Sequence, residues 1–452
     1  MKPDVFIISL GCPRNLVDSE VLIGELKKRG FRVIYKFKKN CIAIINTCGF
    51  IEDAKKESLD IILELADLKM DGSLSCLIVT GCLSQRYPLE LTKEIPEIDG
   101  IFGSSTFARI PEYLDRLLNG RKAVVIDKKP HFLYHHRMNR SIMTPKHTVY
   151  VKIQEGCMNL CSYCIIPKIK GPYRSRSMGS VLKEIYSFRK SGAKEVNLVG
   201  QDTTLYGVDR YKGLMLANLL KKASPIMKSG WIRVLYTHPA HYNQQLIDII
   251  KNGPPICKYL DLPIQHISDK ILKRMHRRVT KKDIITLIEK LRKNIPGVAI
   301  RTSVMVGFPG ESDRDFSELE MFIKEIRFDR LGVFIYSREE GTRAFSFGNQ
   351  VSEREKHQKF NRIMEVQKNV SEDINRGYLG QTLRVLIDEK DFSCPTQYIG
   401  RTEYDAPEVD GMVYVKSQRK LNAGDFVNVK IEDVLEYDLV GRLCTDGGAL
   451  GE

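Results

Sequence analysis

The densest group of reactive side chains is Gly156-Cys157-Met158-Asn159-Leu160-Cys161-Ser162-Tyr163-Cys164, in which the thiols Cys157, Cys161 and Cys164 stand four and then three residues apart. Three thiolates can hold three irons of a [4Fe–4S] cluster, and the missing fourth ligand leaves one iron open to a substrate or cofactor. A zinc knuckle with its fourth ligand elsewhere is the competing reading. A second set is dispersed. Cys12, Cys48 and Cys82 each stand at or just after the end of an expected strand. In an open parallel sheet those ends share one edge, where ligands bind, so residues distant in sequence can meet there. Taken singly, each is an ordinary buried cysteine; their common placement argues for a second cluster site. Cys41, Cys76, Cys257, Cys394 and Cys444 share no such placement and read as core or incidental. Cys41 and Cys76 begin strands and so face the opposite edge. The chain has 11 cysteines, an odd count that suits metal ligation in a reducing compartment better than a disulfide framework.

The elements that must position these thiols follow from hydrophobic periodicity. From residue 1 to about 126, short apolar runs (Val5 to Leu10, Ile42 to Thr47, Leu77 to Thr80, Val124 to Ile126) alternate with helical periods, the pattern of a parallel sheet with helices on both faces. Residues 127–146 carry Pro130 and Pro145 with no sustained period and read as a linker. Between 147 and 378, runs at Val149 to Gln154, Glu195 to Val199, Ile232 to Tyr236, Tyr259 to Ile264, Ala299 to Val306 and Arg330 to Tyr336 recur between helices, and a long polar helix from Ser352 to Tyr378 follows. This is a partial (β/α)6 barrel, whose chemistry belongs at the C-terminal ends of its strands. From 379 to 446, alternating runs between Gly and Asp turns predict a small antiparallel β-barrel. The fold class is therefore α/β: a Rossmann-like three-layer N-terminal domain, a partial TIM-type barrel and a small OB-like C-terminal barrel.

A chain of 452 residues, 42 % hydrophobic and 28 % charged, excludes a single small module, a collagen and a disordered chain. No stretch approaches the roughly 18 to 20 apolar residues of a membrane span, and the start reads as a strand rather than a leader, so a cytoplasmic location is expected. Lys plus Arg at 71 against Asp plus Glu at 56 leaves +15, a field suited to an anionic partner. The C-terminal region reverses that sign, with about eight basic against about thirteen acidic residues, Asp405, Glu408 and Asp410 among them. Such a barrel would repel RNA phosphates and attract a basic protein, unless the acids are merely solvated.

The C-x3-C-x2-C motif, with the aromatic Tyr163 before its last cysteine, resembles the radical S-adenosylmethionine (SAM) signature. Ser9-Leu10-Gly11-Cys12-Pro13-Arg14-Asn15-Leu16-Val17-Asp18-Ser19-Glu20, Asn46-Thr47-Cys48-Gly49-Phe50-Ile51 and Gly81-Cys82-Leu83 extend the likeness over nearly the whole chain, to the radical SAM methylthiotransferases with a C-terminal TRAM barrel. The resemblance implies an auxiliary [4Fe–4S] cluster on Cys12, Cys48 and Cys82, a SAM-cleaving cluster on Cys157, Cys161 and Cys164, and an electron donor such as flavodoxin or ferredoxin. Two substrate classes compete within it. One is a hypermodified adenosine of tRNA beside the anticodon; the other is the β-carbon of an aspartate in the small-subunit ribosomal protein of the decoding centre. Gln154-Glu155-Gly156, Leu262 to Asp269 and Gly400 to Gly411 look like the protein-modifying branch.

SAM should be held at strand ends, by Tyr163, by Gln201 and Asp202 after the second barrel strand, by Gln265 after the fourth and by Arg301 on the fifth. Arg301 could instead be a barrel-interior cation satisfied by a carboxylate, and Gly307 and Gly310 could simply make a turn. Arg174 and Arg176 bind substrate or are solvated; His135, His136, His238 and His266 are expected to be satisfied or exposed rather than ligands.

Overall fold

A computed structural model describes residues 2–444; Met1 and the last two residues of the expected C-terminal domain, 445 and 446, lie outside it. The N-terminal sheet has six strands in the order Val33–Ile34, Val5–Ser9, Cys41–Thr47, Leu74–Gly81, Gly100–Phe102, Ala123–Val125, all parallel. The strands Val33–Ile34 and Gly100–Phe102 escaped the periodicity because two or three residues cannot display alternation. Every residue of Cys41–Thr47 is buried, as expected for a strand covered on both faces. Helices Pro13–Lys28 and Glu52–Met70 supply that cover.

The central region holds six parallel strands in two hydrogen-bonded groups, Trp231–Val234, Glu195–Val199 and Thr148–Lys152 in one, Tyr259–Asp261, Ala299–Val306 and Arg330–Ile335 in the other. A parallel bridge from Ile232 to Ile256 joins the groups. Val149, Val151, Val196, Leu198, Leu260 and Ile300 face the helices in one large core, so the residues between them, Tyr150, Lys152, Glu195, Asn197, Tyr259 and Arg301, face the inside of the barrel. Helix Glu353–Arg376 crosses the open edge, Gln367 Nε2 donating to the Phe328 carbonyl at 2.9 Å. The segment 127–146 has no regular structure yet is pinned. Arg140 bonds Glu20 of the N-terminal domain at 2.5 Å and Glu184 of the barrel at 2.9 Å.

The C-terminal strands Thr382–Lys390, Gln397–Thr402, Val413–Lys416, Leu439–Leu443 and Phe426–Val434 close a five-stranded barrel. One pair, Val413–Lys416 with Leu439–Leu443, is parallel rather than antiparallel. The last strand, having turned back from Phe426–Val434, can seal the barrel only by lying beside Val413–Lys416 in the same sense.

The expected acidic docking face is corrected here. Asp405 is buried and pairs with Arg330 at 2.6 Å, and Asp410 accepts from Tyr259 Oη at 2.6 Å and Arg301 Nε at 3.2 Å. Both carboxylates are consumed closing the floor of the large barrel; only Glu408 of the three is exposed. Arg401 completes the junction, bridging Glu195 at 2.9 Å and Asp388 at 2.7 Å. No helix of the described residues is long and apolar enough to cross a membrane.

Candidate functional site

The three N-terminal cysteines leave the ends of three adjacent strands. Cys12 follows Val5–Ser9 and precedes helix Pro13–Lys28, Cys48 follows Cys41–Thr47, and Cys82 opens the short helix after Leu74–Gly81. Glycines allow the approach. A Cβ on Gly11, whose φ is +84°, would meet Cys48 Cβ at 2.8 Å and Sγ at 3.0 Å, and one on Gly49 would meet the Leu83 backbone at 2.8 Å. The thiols are close enough to raise one another: Cys82 is pushed up to about 12, first by burial and then by Cys48 and Cys12 against the opposing pull of Lys170. Cys12 goes the other way. Burial would raise its thiol, but Arg14, with Nε 3.4 Å from Sγ, together with the Asn15 backbone and Lys170, leaves it below the ordinary value. A helix N-terminus and a cation are the surroundings that favour a thiolate.

The second triad sits on the loop after strand Thr148–Lys152. That loop is tied down by Ser162, whose N donates to the Met275 carbonyl at 2.9 Å and whose Oγ donates to the Arg274 carbonyl at 2.8 Å, and by Asn159 Nδ2, which donates to Asp202 at 2.6 Å. The Asn159 N–H reaches Cys157 Sγ at 3.5 Å. Burial lifts Cys157 to about 11 and also raises Cys164, which feels Cys161, Cys157 and, from the other domain, Arg14. Cys82, Ile165 and Ile169 form one small apolar cluster with Phe50, so the two cysteine loops pack against each other.

Between them runs a buried charge network that sequence reading missed. Asp18 of the first helix takes Lys170 at 2.9 Å and also Lys152; Lys152 reaches Glu155 at 2.5 Å, and Gln201 Nε2 donates to Glu155 at 2.5 Å. Burial would raise Glu155, but Lys152 and Lys170 hold it at about 2. Lys152 was legible in principle as a charged residue at an inward-facing strand position; its partner 134 residues away was not.

The residues expected to hold SAM are distributed as follows. Gln201 spends its amide N–H on Glu155, while its Oε1 is buried without a partner among the described residues. Asp202 accepts from Asn159, from the Thr204 N–H at 3.1 Å and from His241 at 3.0 Å, supporting the cysteine loop. His238 stacks on His241 with ring centres 4.8 Å apart, and its Nδ1 accepts from the Ala240 N–H at 3.2 Å. Gln265 adopts φ +71°, its backbone fixed to Ser303 and Met305, and its side chain makes no hydrogen bond among the described residues. Tyr163 lies edge-on to Phe308 with centres 6.5 Å apart. Arg301 is the satisfied interior cation of the two readings, held by Asp261 at 3.3 Å and by Asp410. Gly307 closes a loop whose N–H donates to Glu311 at 3.0 Å. Arg176 is buried against Glu184 at 2.5 Å, and Arg174 bonds the Pro172 carbonyl.

Two thiol triads of this kind fit iron–sulfur clusters by donor chemistry. Inside the barrel, both amide atoms of Gln154 and of Asn197 and the Tyr150 hydroxyl are buried without partners among the described residues, which suits a polar ligand such as SAM.

Comparison with known proteins agrees with this layout. The chain matches the radical SAM superfamily over residues 151–323, the uncharacterized protein family UPF0004 over residues 4–103 and the TRAM domain over residues 379–444. Fold and site thus define a radical SAM protein with a second cysteine-bearing domain and a TRAM barrel. The ribosomal protein uS12 methylthiotransferase RimO of Desulforamulus reducens is 46% identical over 442 residues, covering 98% of this chain and 100% of the relative. The protein of the same name from Geobacter sulfurreducens is 45% identical, over 98% of this chain and 99% of its own length. The chain belongs to this family of ribosomal protein uS12 methylthiotransferases. Among solved structures, the radical SAM methyltransferase TsrM from Kitasatospora setae, with cobalamin and a [4Fe–4S] cluster bound, aligns over 74% of this chain and 72% of its own with a TM-score of 0.52; at 13% identity the likeness shows the fold alone.

Proposed function

We propose that this chain inserts a methylthio group at the β-carbon of an aspartate in ribosomal protein uS12, working in the cytoplasm with SAM and an electron donor such as flavodoxin or ferredoxin. The reading is carried by the meeting of two three-cysteine loops across one domain interface, with the family of its relatives supplying the substrate. Cys157, Cys161 and Cys164 would hold the cluster that binds SAM, and Cys12, Cys48 and Cys82 the auxiliary cluster. Two SAM would be used: with the clusters bound, one, cleaved by an electron from the donor, would supply a carbon-centred radical that takes hydrogen from an unactivated carbon, and the other would supply the methyl of the sulfur that replaces it.

The chain's own residues bind and orient. Ser162, Asn159 and Asp202 fix the second cysteine loop on the barrel rim. Asp18, Lys152, Glu155 and Lys170 lock the two domains together, so the distance between the two triads is set by a buried salt network rather than by a hinge. Ile165, Ile169 and Phe50 pack apolar surface beside Cys82 and keep water from the sulfur-bearing side. The unpaired Gln201 Oε1 and the Gln265 side chain offer acceptors and donors to SAM.

The test is mass spectrometry of uS12 and of bulk tRNA from a strain lacking the gene, with and without the gene restored. Loss of a methylthio mass increment from uS12 alone supports the reading. Loss from tRNA with uS12 unchanged overturns it in favour of the adenosine substrate.

A further inference from the structure

We propose that Arg14 and Tyr236 form the seat for the substrate's carboxylate, which would make them the residues that position the aspartate between the two cysteine loops; this rests on the aspartate reading above. Arg14 stands where the domains meet. Its Nε is 3.4 Å from Cys12 Sγ, its Nη1 is 3.4 Å from the Gly200 carbonyl at the end of the second barrel strand, and its guanidinium lies 4.4 Å over the Tyr236 ring. The bond to the carbonyl is long, the one to sulfur is of ordinary length, Nη2 is bonded to nothing among the described residues, and no carboxylate of these lies within ion-pair distance.

The lysines of this region are paired with carboxylates, and its other two arginines, Arg174 and Arg277, bond backbone carbonyls and each keep a buried Nε without a partner among the described residues. Lys152 and Lys170 are taken by Asp18 and Glu155, and Arg174 by backbone carbonyls. Arg277 donates to the Pro263 carbonyl and lies against Cys161 and Tyr163 of the second triad, whereas Arg14 bonds a residue of each domain. A half-buried guanidinium with one edge uncommitted is costly alone and is matched by the fork geometry of a carboxylate.

Tyr236 adds a second, independent observation. It is a non-glycine residue at φ +60°, held there by its N–H donating to Asp261 Oδ2 at 2.8 Å and its carbonyl accepting from Thr203 N at 2.9 Å. Backbone strain of this kind persists where surroundings impose it, commonly at ligand clamps. Here it turns the ring under Arg14, and the Tyr236 hydroxyl makes no hydrogen bond among the described residues. A carboxylate accepting from the free Arg14 edge and the Tyr236 hydroxyl would place the adjacent β-carbon one bond from a fixed point, within the space that both cysteine loops border.

The experiment measures binding of the anaerobically reconstituted holoenzyme to uS12 and to uS12 with its target aspartate replaced by asparagine. The parent should prefer aspartate by about tenfold to a hundredfold, the range of a charge-assisted hydrogen-bonded pair. Arg14→Met should reduce that preference to below about threefold, Tyr236→Phe should reduce it partially, and Arg14→Lys should restore most of it. If Arg14→Met loses iron, the Tyr236→Phe and Arg14→Lys ratios decide. An undiminished preference in Arg14→Met or in Tyr236→Phe, or no preference in the parent, overturns the proposal. So does weakened SAM binding by Arg14→Met with the preference intact, which would assign Arg14 to the cofactor's carboxylate. Absence of uS12 modification by the parent enzyme, scored separately, would count against the function and not against the seat.

Discussion

Both ends of the large barrel hold buried paired charges, but only the rim also keeps polar groups without partners. At the floor, Glu195 is shared by Arg233 at 3.0 Å and Arg401 at 2.9 Å, Asp405 by Arg330, and Asp410 by Arg301 and Tyr259, so the charged groups that join the C-terminal barrel to the large one are paired and buried. At the rim, among the described residues, Gln201 Oε1 has no partner, Gln265 and Tyr236 are held at positive φ with no side-chain hydrogen bond, and Arg14 has no carboxylate within ion-pair distance. Paired groups give rigidity and leave nothing for a ligand; unpaired, strained ones cost stability and are kept where something else will satisfy them. The C-terminal barrel is accordingly a plug as much as a docking module. Converting Asp405 and Asp410 would open that junction rather than report on encounter with a basic partner.

The contrast can be broken by substitution. The largest expected effect is at the rim: Cys161→Ala should abolish reductive SAM cleavage, with deoxyadenosine formation as the measurement, because a cluster with two thiolates is released or deformed. The same variant should melt as apoprotein within about 0.5 kcal/mol of the parent. Deoxyadenosine at the parental rate would show that the triads have been misassigned. Cys48→Ala should be narrower, keeping SAM cleavage and half of the iron while losing methylthio insertion. Equal loss of both activities would mean that the two loops do not form separate sites.

A floor variant should show the converse. Glu195→Ala strands the buried Arg233 guanidinium and leaves Arg401 with Asp388 alone, and should cost about 3–5 kcal/mol in urea unfolding, while iron content at low temperature stays parental. Acid should find the same weak point. Burial would raise Glu195, but Arg401 and Arg233 hold it below the usual carboxylate range, and His147 and Arg401 do so for Asp388. Carboxyls held low in the folded state contribute stability that is complete above about pH 4.5 and lost as pH falls through their folded values. The urea midpoint should therefore fall as the pH is lowered below about 4.5 in the parent, and less so in Glu195→Ala. The smallest effect is expected on the C-terminal barrel's outer face, where Arg442→Ala breaks an exposed pair with Glu432 and should change stability by less than about 0.5 kcal/mol.

Much of this molecule was written in the order of its residues. The spacing of Cys157, Cys161 and Cys164 could suggest their proposed chemistry because all three belong to one loop, and local spacing survives any fold. Cys12, Cys48 and Cys82 became legible through the rule that parallel strands end on one edge, so their meeting needed only the strand positions. The six barrel strands and the long strap helix followed from periodicity, and of the C-terminal strands Gln397–Thr402 and Leu439–Leu443 did not, each being interrupted by a glycine. Side-chain pairing across domains was closed to such reading. Nothing local distinguishes Asp410, which reaches Arg301 across 109 residues, from an exposed surface acid, nor Arg14 from a solvated arginine. Their fates depend on which surface arrives opposite them, and a buried charge finds its partner only when the domains close and water is excluded. The sequence alone determined the donor sets and the sheets that carry them; tertiary structure alone decided which charges were neutralised and which were left free to bind, because that choice is settled by desolvation at interfaces between residues far apart in the chain.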